Sequence, residues 1–289
     1  MANRREIVKR RQAVTNIRKI TRTMQLIATA RYQKAYKRAS ATKPYSEKLA
    51  EMVGNLARAS AGLDHPLMAQ PEGVDKSALV VVTSARGMCG GYNGNVLATA
   101  MDHVQKQAEL GVETAFTAVR KKGISYFRFT GREVEEELPD IADMPSFTEV
   151  EPLANRLMEQ FVAGEIGSAH VAYTHFYSTS RQGPAIMQLL PLTWEMEEGE
   201  TPKSVEFEFS PEPAEILGQL LPASVRMRLY QAFTEAAVSE QMARMVAMKQ
   251  ATDAAEEKIT QLTREYNRAR QTAITMELLD IVGGAQALA

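Results

Sequence analysis

The hydrophobic and polar positions divide the chain into three stretches. Residues 1–43 contain neither Gly nor Pro. Within them Val14, Ile17, Ile20, Met24 and Ile27 recur at steps of three and four, the spacing of one helical face. Arg4, Arg11, Arg18 and Arg22 fall on another face. This pattern predicts one helix from about Arg4 to about Ala59, bending, if anywhere, near Pro44, whose ring cannot donate a backbone hydrogen bond. The far end repeats the signature, with no proline after Pro222 and no glycine between it and Gly283. Ala236, Ala243, Ala247, Ala251 and Ala254 keep helical spacing, and Ile259, Leu262, Tyr266, Ala269, Ala273 and Met276 continue it. A helix over 224–282 would be about 90 Å long at 1.5 Å per residue. A rod of that length does not fit inside a compact core and needs a mate along its side. The N-terminal helix is the obvious one, and two long helices at opposite ends of a chain pair most simply as an antiparallel coiled coil.

The middle stretch has the shorter periods of an α/β unit. Residues 78–83 (ALVVVT) read as an apolar strand leading into the glycine-rich run 84–94 (SARGMCGGYNG), with a helix over about 95–109. Residues 112–119 and 125–129 read as short strands and 149–163 as a helix. Residues 170–177, 185–190 and 205–209 complete a parallel or mixed sheet, with 139–145 and 195–202 as loops. The expected fold is therefore α/β: two long terminal helices forming an antiparallel coiled coil, plus a central Rossmann-like domain. The boundaries are 1–62 for the first helix, 74–210 for the central domain and 211–289 for the second helix.

Charge adds an asymmetry that the total hides. The 289 residues carry 34 Lys and Arg against 35 Asp and Glu. Residues 1–60, however, hold 15 basic against 3 acidic side chains, and residues 61–210 hold 11 against 22. A basic arm of this kind implies a partner with local negative charge: nucleic acid, anionic lipid or an acidic protein surface. The Arg-rich, acid-poor start has the composition of an organelle transit peptide, but the helical pattern runs past Tyr32 without a cleavage-like break. We read it as part of the rod and the chain as cytoplasmic when synthesised. No run of 18 apolar residues offers a membrane-spanning helix. A single cysteine, Cys89, makes no internal disulfide, and the four histidines form no zinc-spaced cluster with it.

Each patch of candidate chemistry has a plainer alternative. A glycine-rich turn between strand and helix can hold a phosphate on its backbone N–H groups. Here Gly87, Gly90, Gly91 and Gly94 match neither G-x-G-x-x-G nor a P-loop, and no acidic residue near 117–120 is placed for a ribose. A tight turn with close helix–sheet packing is the favoured reading. Cys89 with His103 lacks an orienting acid for nucleophilic catalysis. His170 and His175, five apart on a strand, point to opposite faces and are no ligand pair. Glu135, Glu136 and Glu137 read as a solvated charge run. Met242, Met245 and Met248 suit core packing or an adaptable surface. Two rival functions follow from the residues alone: a nucleotide-binding enzyme using the glycine loop, and a basic coiled coil on nucleic acid. The second lacks interleaved aromatics and a docking motif.

Four stretches carry a resemblance. Residues 274–288 (ITMELLDIVGGAQAL) are similar to the ending I-T-x-E-L-x-[DE]-I-V-x-G-A-x-A-L of the gamma subunits of F-type ATP synthases. Residues 237–253 (AVSEQMARMVAMKQATD) and 266–271 (YNRARQ) are equally typical of that family. Residues 17–28 (IRKITRTMQLIA) resemble its T-x-K-I-T-x-A-M-x-M-V-A, and residues 84–93 (SARGMCGGYN) its S-D-R-G-L-C-G-G-L-N. Ala85 stands where that family has Asp, and Ala30, Arg31 and Tyr32 where it has Ser-Lys-Met.

The resemblance implies the central rotor shaft of the F-type ATP synthase. It would couple ion flow through the membrane ring to ATP synthesis or hydrolysis on the catalytic beta subunits and regulate ATPase activity. The chain itself would be non-catalytic, with no cofactor and no metal. Its implied partners are the alpha and beta subunits of the hexameric ring, the epsilon subunit and the membrane c-ring, with no nucleic acid. The implied location is peripheral, on the cytoplasmic face of a bacterial cell membrane. By motif, Arg22, Met24, Arg244, Arg270, Gln271, Thr275 and Glu277 would contact the alpha/beta ring. Arg86, Cys89, Gly90 and Gly91 would belong to the foot, on the epsilon and c-ring side.

Overall fold

A computed structural model describes residues 4–59, 65–69, 71, 73–192 and 213–288. The elements, in order, are α1 (Arg4–Ala59), β1 (Lys76–Val82), α2 (Tyr92–Glu109), β2 (Glu113–Val119), α3 (Arg120–Thr130), β3 (Glu136–Leu138), α4 (Phe147–Val162), β4 (Ser168–Phe176), β5 (Gln182–Leu190) and α5 (Pro213–Leu288). The chain divides into two compact units. One combines residues 1–29 with 244–289, and the other holds residues 30–243.

The larger unit is built on a five-stranded sheet in the order β3-β2-β1-β4-β5. β1 pairs in parallel with β2 and β4, and β2 with β3, while β5 returns antiparallel along β4. The order reverses between β1 and β4, the switch point of a doubly wound sheet. Alternation along β1 explains its burial on both sides. Ala78, Val80 and Val82 join a core with α1, α4 and α5, which includes Leu49, Val53, Leu157, Phe161, Leu229 and Phe233. Leu79 and Val81 point the other way, into a core with Val96, Leu97, Ile124 and Phe127 of α2 and α3. α4 begins at a capping box in which the Ser146 backbone N–H donates to Glu149 Oε2 at 2.6 Å.

Residues 125–129, expected as a strand, belong to helix α3. Their alternation of aromatic and polar side chains suits a strand, but Gly123, Ile124 and Phe127 are the buried positions, and that spacing is helical. The third strand lies instead in the glutamate run, and those side chains are partnered, not merely solvated. Glu135 pairs with Lys76 at 3.4 Å, Glu136 with Arg156, and Glu137 with Arg128 at 2.5 Å. Charge on so short an edge strand discourages pairing with another chain. The expected strand at 205–209 and loop at 195–202 lie outside the described residues. α5 begins at Pro213, upstream of the expected 224, and passes through Pro222, as α1 passes through Pro44. In both helices the residue four positions earlier, Gly218 or Ser40, is exposed, so water can satisfy the carbonyl that loses its donor.

The smaller unit pairs the first turns of α1 with the last half of α5. Arg18 Nη1 meets Glu256 Oε1 at 3.3 Å, the Thr252 hydroxyl donates to Thr21 Oγ1 at 2.8 Å, and Arg11 lies over the Tyr266 ring at 5.4 Å. Numbers rise on one helix as they fall on the other, so the pair is antiparallel. Its seam is heptad-spaced: Ile7, Thr21 and Ala28 are buried on α1, and Met248, Thr252, Ala255 and Leu262 on α5.

Candidate functional site

In the larger unit the glycine-rich run closes on its own side chains. The Ser84 backbone N–H donates to Asn93 Oδ1 at 2.9 Å, and the Ser84 hydroxyl donates to the Arg86 carbonyl at 2.6 Å. Asn93 Nδ2 donates to Ser84 Oγ at 2.8 Å and to Cys89 Sγ at 3.3 Å. Gly90 sits at φ 59, where a Cβ is disfavoured, and Met88 shares that left-handed region at φ 62. The loop is thus a turn folded around Asn93. Cys89 is buried beneath it, while Arg86, Gly90 and Gly91 are exposed. His103, already set aside in the sequence as a catalytic mate for Cys89, meets the His170 ring at a tilt with centroids 4.5 Å apart.

Doubly wound sheets bind ligands in the crevice at the carboxyl ends of their strands. Here protein groups occupy that edge. Tyr92, first residue of α2, is buried and donates its hydroxyl to the Ala236 carbonyl of α5 at 3.2 Å. Burial, reinforced by the Glu240 carboxylate, drives its phenol far above the ordinary range, so it stays a donor. Arg120 Nη1 lies 3.3 Å from Glu240 Oε2, with both side chains essentially free of solvent contact. Outside this pair Asp143 accepts from Arg86 at 2.6 Å and Arg31 at 3.2 Å. Burial raises its pKa, but the Arg86 hydrogen bond and the charges of Arg86, Arg120 and Arg31 outweigh this and hold it below the usual carboxylate range.

Sequence reading missed Arg120 and Glu240. No local pattern links positions so far apart. The two strand histidines do face opposite ways. His170 meets Ser77 at 3.3 Å and His103, while His175 reaches Glu235 on α5 at 2.6 Å.

In the smaller unit the described residues expose a broad apolar surface. Ile17, Ile20, Leu26 and Ile27 of α1 are about half exposed, because the seam runs along their flank through Thr21 and Ala28. In register, Arg4 falls level with Ala273, so residues 274–288 run past the described part of α1 for about 22 Å. Ile274, Met276, Leu278, Leu279, Ile281 and Val282 are exposed there. The sequence-derived candidates lie along the same unit. Arg22, Arg270, Gln271, Thr275 and Glu277 are exposed, and Met24 and Arg244 half-buried. Arg22 donates to Gln25 at 3.0 Å and the Thr275 hydroxyl to the Gln271 carbonyl at 3.0 Å. Apolar surface of this extent marks an interaction site.

Comparison with known proteins agrees with this architecture. A family profile described as ATP synthase matches residues 3–288. The ATP synthase gamma chain of Rhodopirellula baltica is 42% identical over 294 residues, covering 100% of this chain and 99% of the relative. That of Leptospira biflexa is 38% identical over 288 residues, covering 100% of both. Among solved structures, a chain of the Euglena gracilis mitochondrial ATP synthase OSCP/F1/c-ring assembly superposes with a TM-score of 0.68 at 18% identity, covering 99% of this chain and 94% of that one. A chain of the Euglena rotor gives 0.63 at 16% identity over 94% and 98%. One from the Tetrahymena thermophila central stalk and c-ring gives 0.56 at 18% over 80% and 99%. With full-length identity at this level and the matching helix pair and sheet, the chain belongs to the ATP synthase gamma chain family.

Proposed function

We propose that this chain is the central rotor shaft of an F-type ATP synthase. The observation that carries the reading is the smaller unit: a helix pair with a narrow heptad-spaced seam, whose outer isoleucines and overhanging C-terminal segment leave apolar surface for a surrounding partner. A shaft needs stiffness along its length and a surface that slides. The Gly- and Pro-free stretch 1–43 and the long α5 supply the first, and an apolar face with few fixed ion pairs supplies the second. The exposed basic residues of α1, among them Arg10, Lys19 and Arg22, suit an acidic lever on a beta subunit, since charge attraction acts at range without a tight contact.

In this reading the alpha and beta subunits enclose the helix pair, and the larger unit meets epsilon and the c-ring. Arg22, Met24, Arg244, Arg270, Gln271, Thr275 and Glu277 face the ring. Arg86, Gly90 and Gly91 belong to the foot surface, with Cys89 shaping the loop beneath them. The chain performs no chemistry itself: nucleotide turnover resides on the beta subunits, and the chain reaches the cytoplasmic face of a bacterial membrane through the complex. The helical boundaries 1–62 and 211–289 and the foot 74–210 describe its parts along the sequence.

The experiment is reconstitution with purified alpha and beta subunits. The expected product holds three alpha, three beta and one copy of this chain, and hydrolyses ATP at its full rate only when all are present. Glu277→Ala is expected to leave that assembly intact while lowering coupled ATP turnover severalfold. A chain that stays monomeric beside alpha and beta, and binds nucleotide by itself, contradicts the proposal.

A further inference from the structure

Arg120 heads the largest fully buried side chains described, and its backbone sits at φ 67, a region non-glycine residues seldom occupy. Its guanidinium has five N–H donors and meets five acceptors. Nε lies 3.4 Å from the Ile141 carbonyl, and Nη2 lies 2.7 Å from that of Ala142 and 3.2 Å from that of Asp143. Nη1 reaches the Thr83 carbonyl at 3.2 Å and Glu240 Oε2 at 3.3 Å. One side chain thus joins the carboxyl end of β1, the loop after β3, and α5. One turn earlier on α5, the Ala236 carbonyl accepts from Tyr92. Two successive turns of α5 are therefore bonded to the carboxyl edge of the sheet.

Resting on the shaft reading, we propose that Arg120 and Glu240 are positioning residues for torque, locking α5 to the sheet so that foot and helix turn as one body. A buried ion pair is a weak source of net stability, since well-packed apolar residues of similar volume often serve as well. What it supplies is direction. Apolar burial is non-directional, whereas a planar guanidinium held by five acceptors resists both rotation of the helix about its axis and translation along it.

The test uses the complete ATP synthase carrying Arg120→Met with Glu240→Met, and in parallel Glu240→Gln alone. Three quantities are read: thermal unfolding midpoint, ATP hydrolysis rate, and torsional stiffness measured with a bead on the foot and the ring fixed. The double variant is expected to lower the midpoint, because the carbonyls of Thr83, Ile141, Ala142 and Asp143 lose their donor, and to keep hydrolysis within twofold of the parent, while stiffness falls at least twofold. Glu240→Gln, which keeps the side-chain shape but removes the charge, is expected to soften in the same direction. Parent stiffness in the double variant overturns the proposal. If the double variant does not assemble, parent stiffness in Glu240→Gln overturns it, and softening with hydrolysis retained supports it. A parent chain that itself fails to assemble with alpha and beta overturns the shaft reading instead.

Discussion

At the scale of single residues, the buried polar groups of the larger unit set measurable limits. His170 lies on β4 against Ser77 and His103, and burial, with a smaller contribution from His103, pushes its pKa down to about 4. The folded chain therefore holds this imidazole neutral, while the unfolded chain protonates it near its ordinary value of 6.5. The associated stability is present above pH 6.5 and is lost as pH falls from there towards 4, reaching about 3 kcal/mol. His170→Gln is expected to flatten that acid limb, as read from unfolding midpoints at pH 7 and pH 5. An unchanged pH dependence would contradict the assignment. Gly167 is constrained by space: a Cβ there would lie 2.6 Å from the Val74 carbonyl oxygen. Gly167→Ala should destabilise the chain by about 1–3 kcal/mol in denaturant titration. Neither residue is marked by a sequence motif. Each constraint comes from a neighbour far along the chain, as with Arg120 and Glu240.

At the scale of elements, helical periodicity revealed α1 from end to end and α5 except for its first eleven and last six residues, because long, strongly periodic segments leave little choice. It did not reveal the seam. Val14, Ile17, Ile20, Met24 and Ile27 do share one side of α1, but Ile17, Ile20 and Ile27 remain half exposed while Thr21 and Ala28 are buried. The buried line on α1 runs at heptad spacing through Ile7, Thr21 and Ala28, and the three isoleucines lie on its flank. The short elements were harder. α3 carries aromatic alternation that mimics a strand, and β3 has three residues, too few for a period. The exposed isoleucines yield a prediction that separates folding from binding. Ile17→Ser with Ile20→Ser should change the stability of the isolated chain by no more than about 0.5 kcal/mol each, as surface substitutions do. The same double variant should weaken assembly with alpha and beta at least tenfold in a titration followed by ATPase activity. A large loss of stability in the isolated chain would place these residues in its own core instead.

At the scale of the whole molecule, the charge distribution and the two compact units express one division of labour. Residues 4–29, basic and free of glycine, pair with the second half of α5, and the acidic middle forms the sheet, against which the rest of both helices packs. The glycine loop, read in the sequence as a tight turn in preference to a phosphate site, is a turn packed on Asn93, beside an edge occupied by Tyr92, Arg120 and Glu240. Motifs at the two termini reached the function more readily than any feature of the middle, because a shaft acts through long surfaces and not through a catalytic constellation.

Rotation is measured most directly with the alpha/beta ring fixed to a surface and a probe attached to Thr179, in the turn between β4 and β5, followed on addition of ATP. Continuous turning in one direction is expected, at a rate that follows ATP hydrolysis. Hydrolysis at full rate with a stationary or randomly fluctuating probe would contradict it.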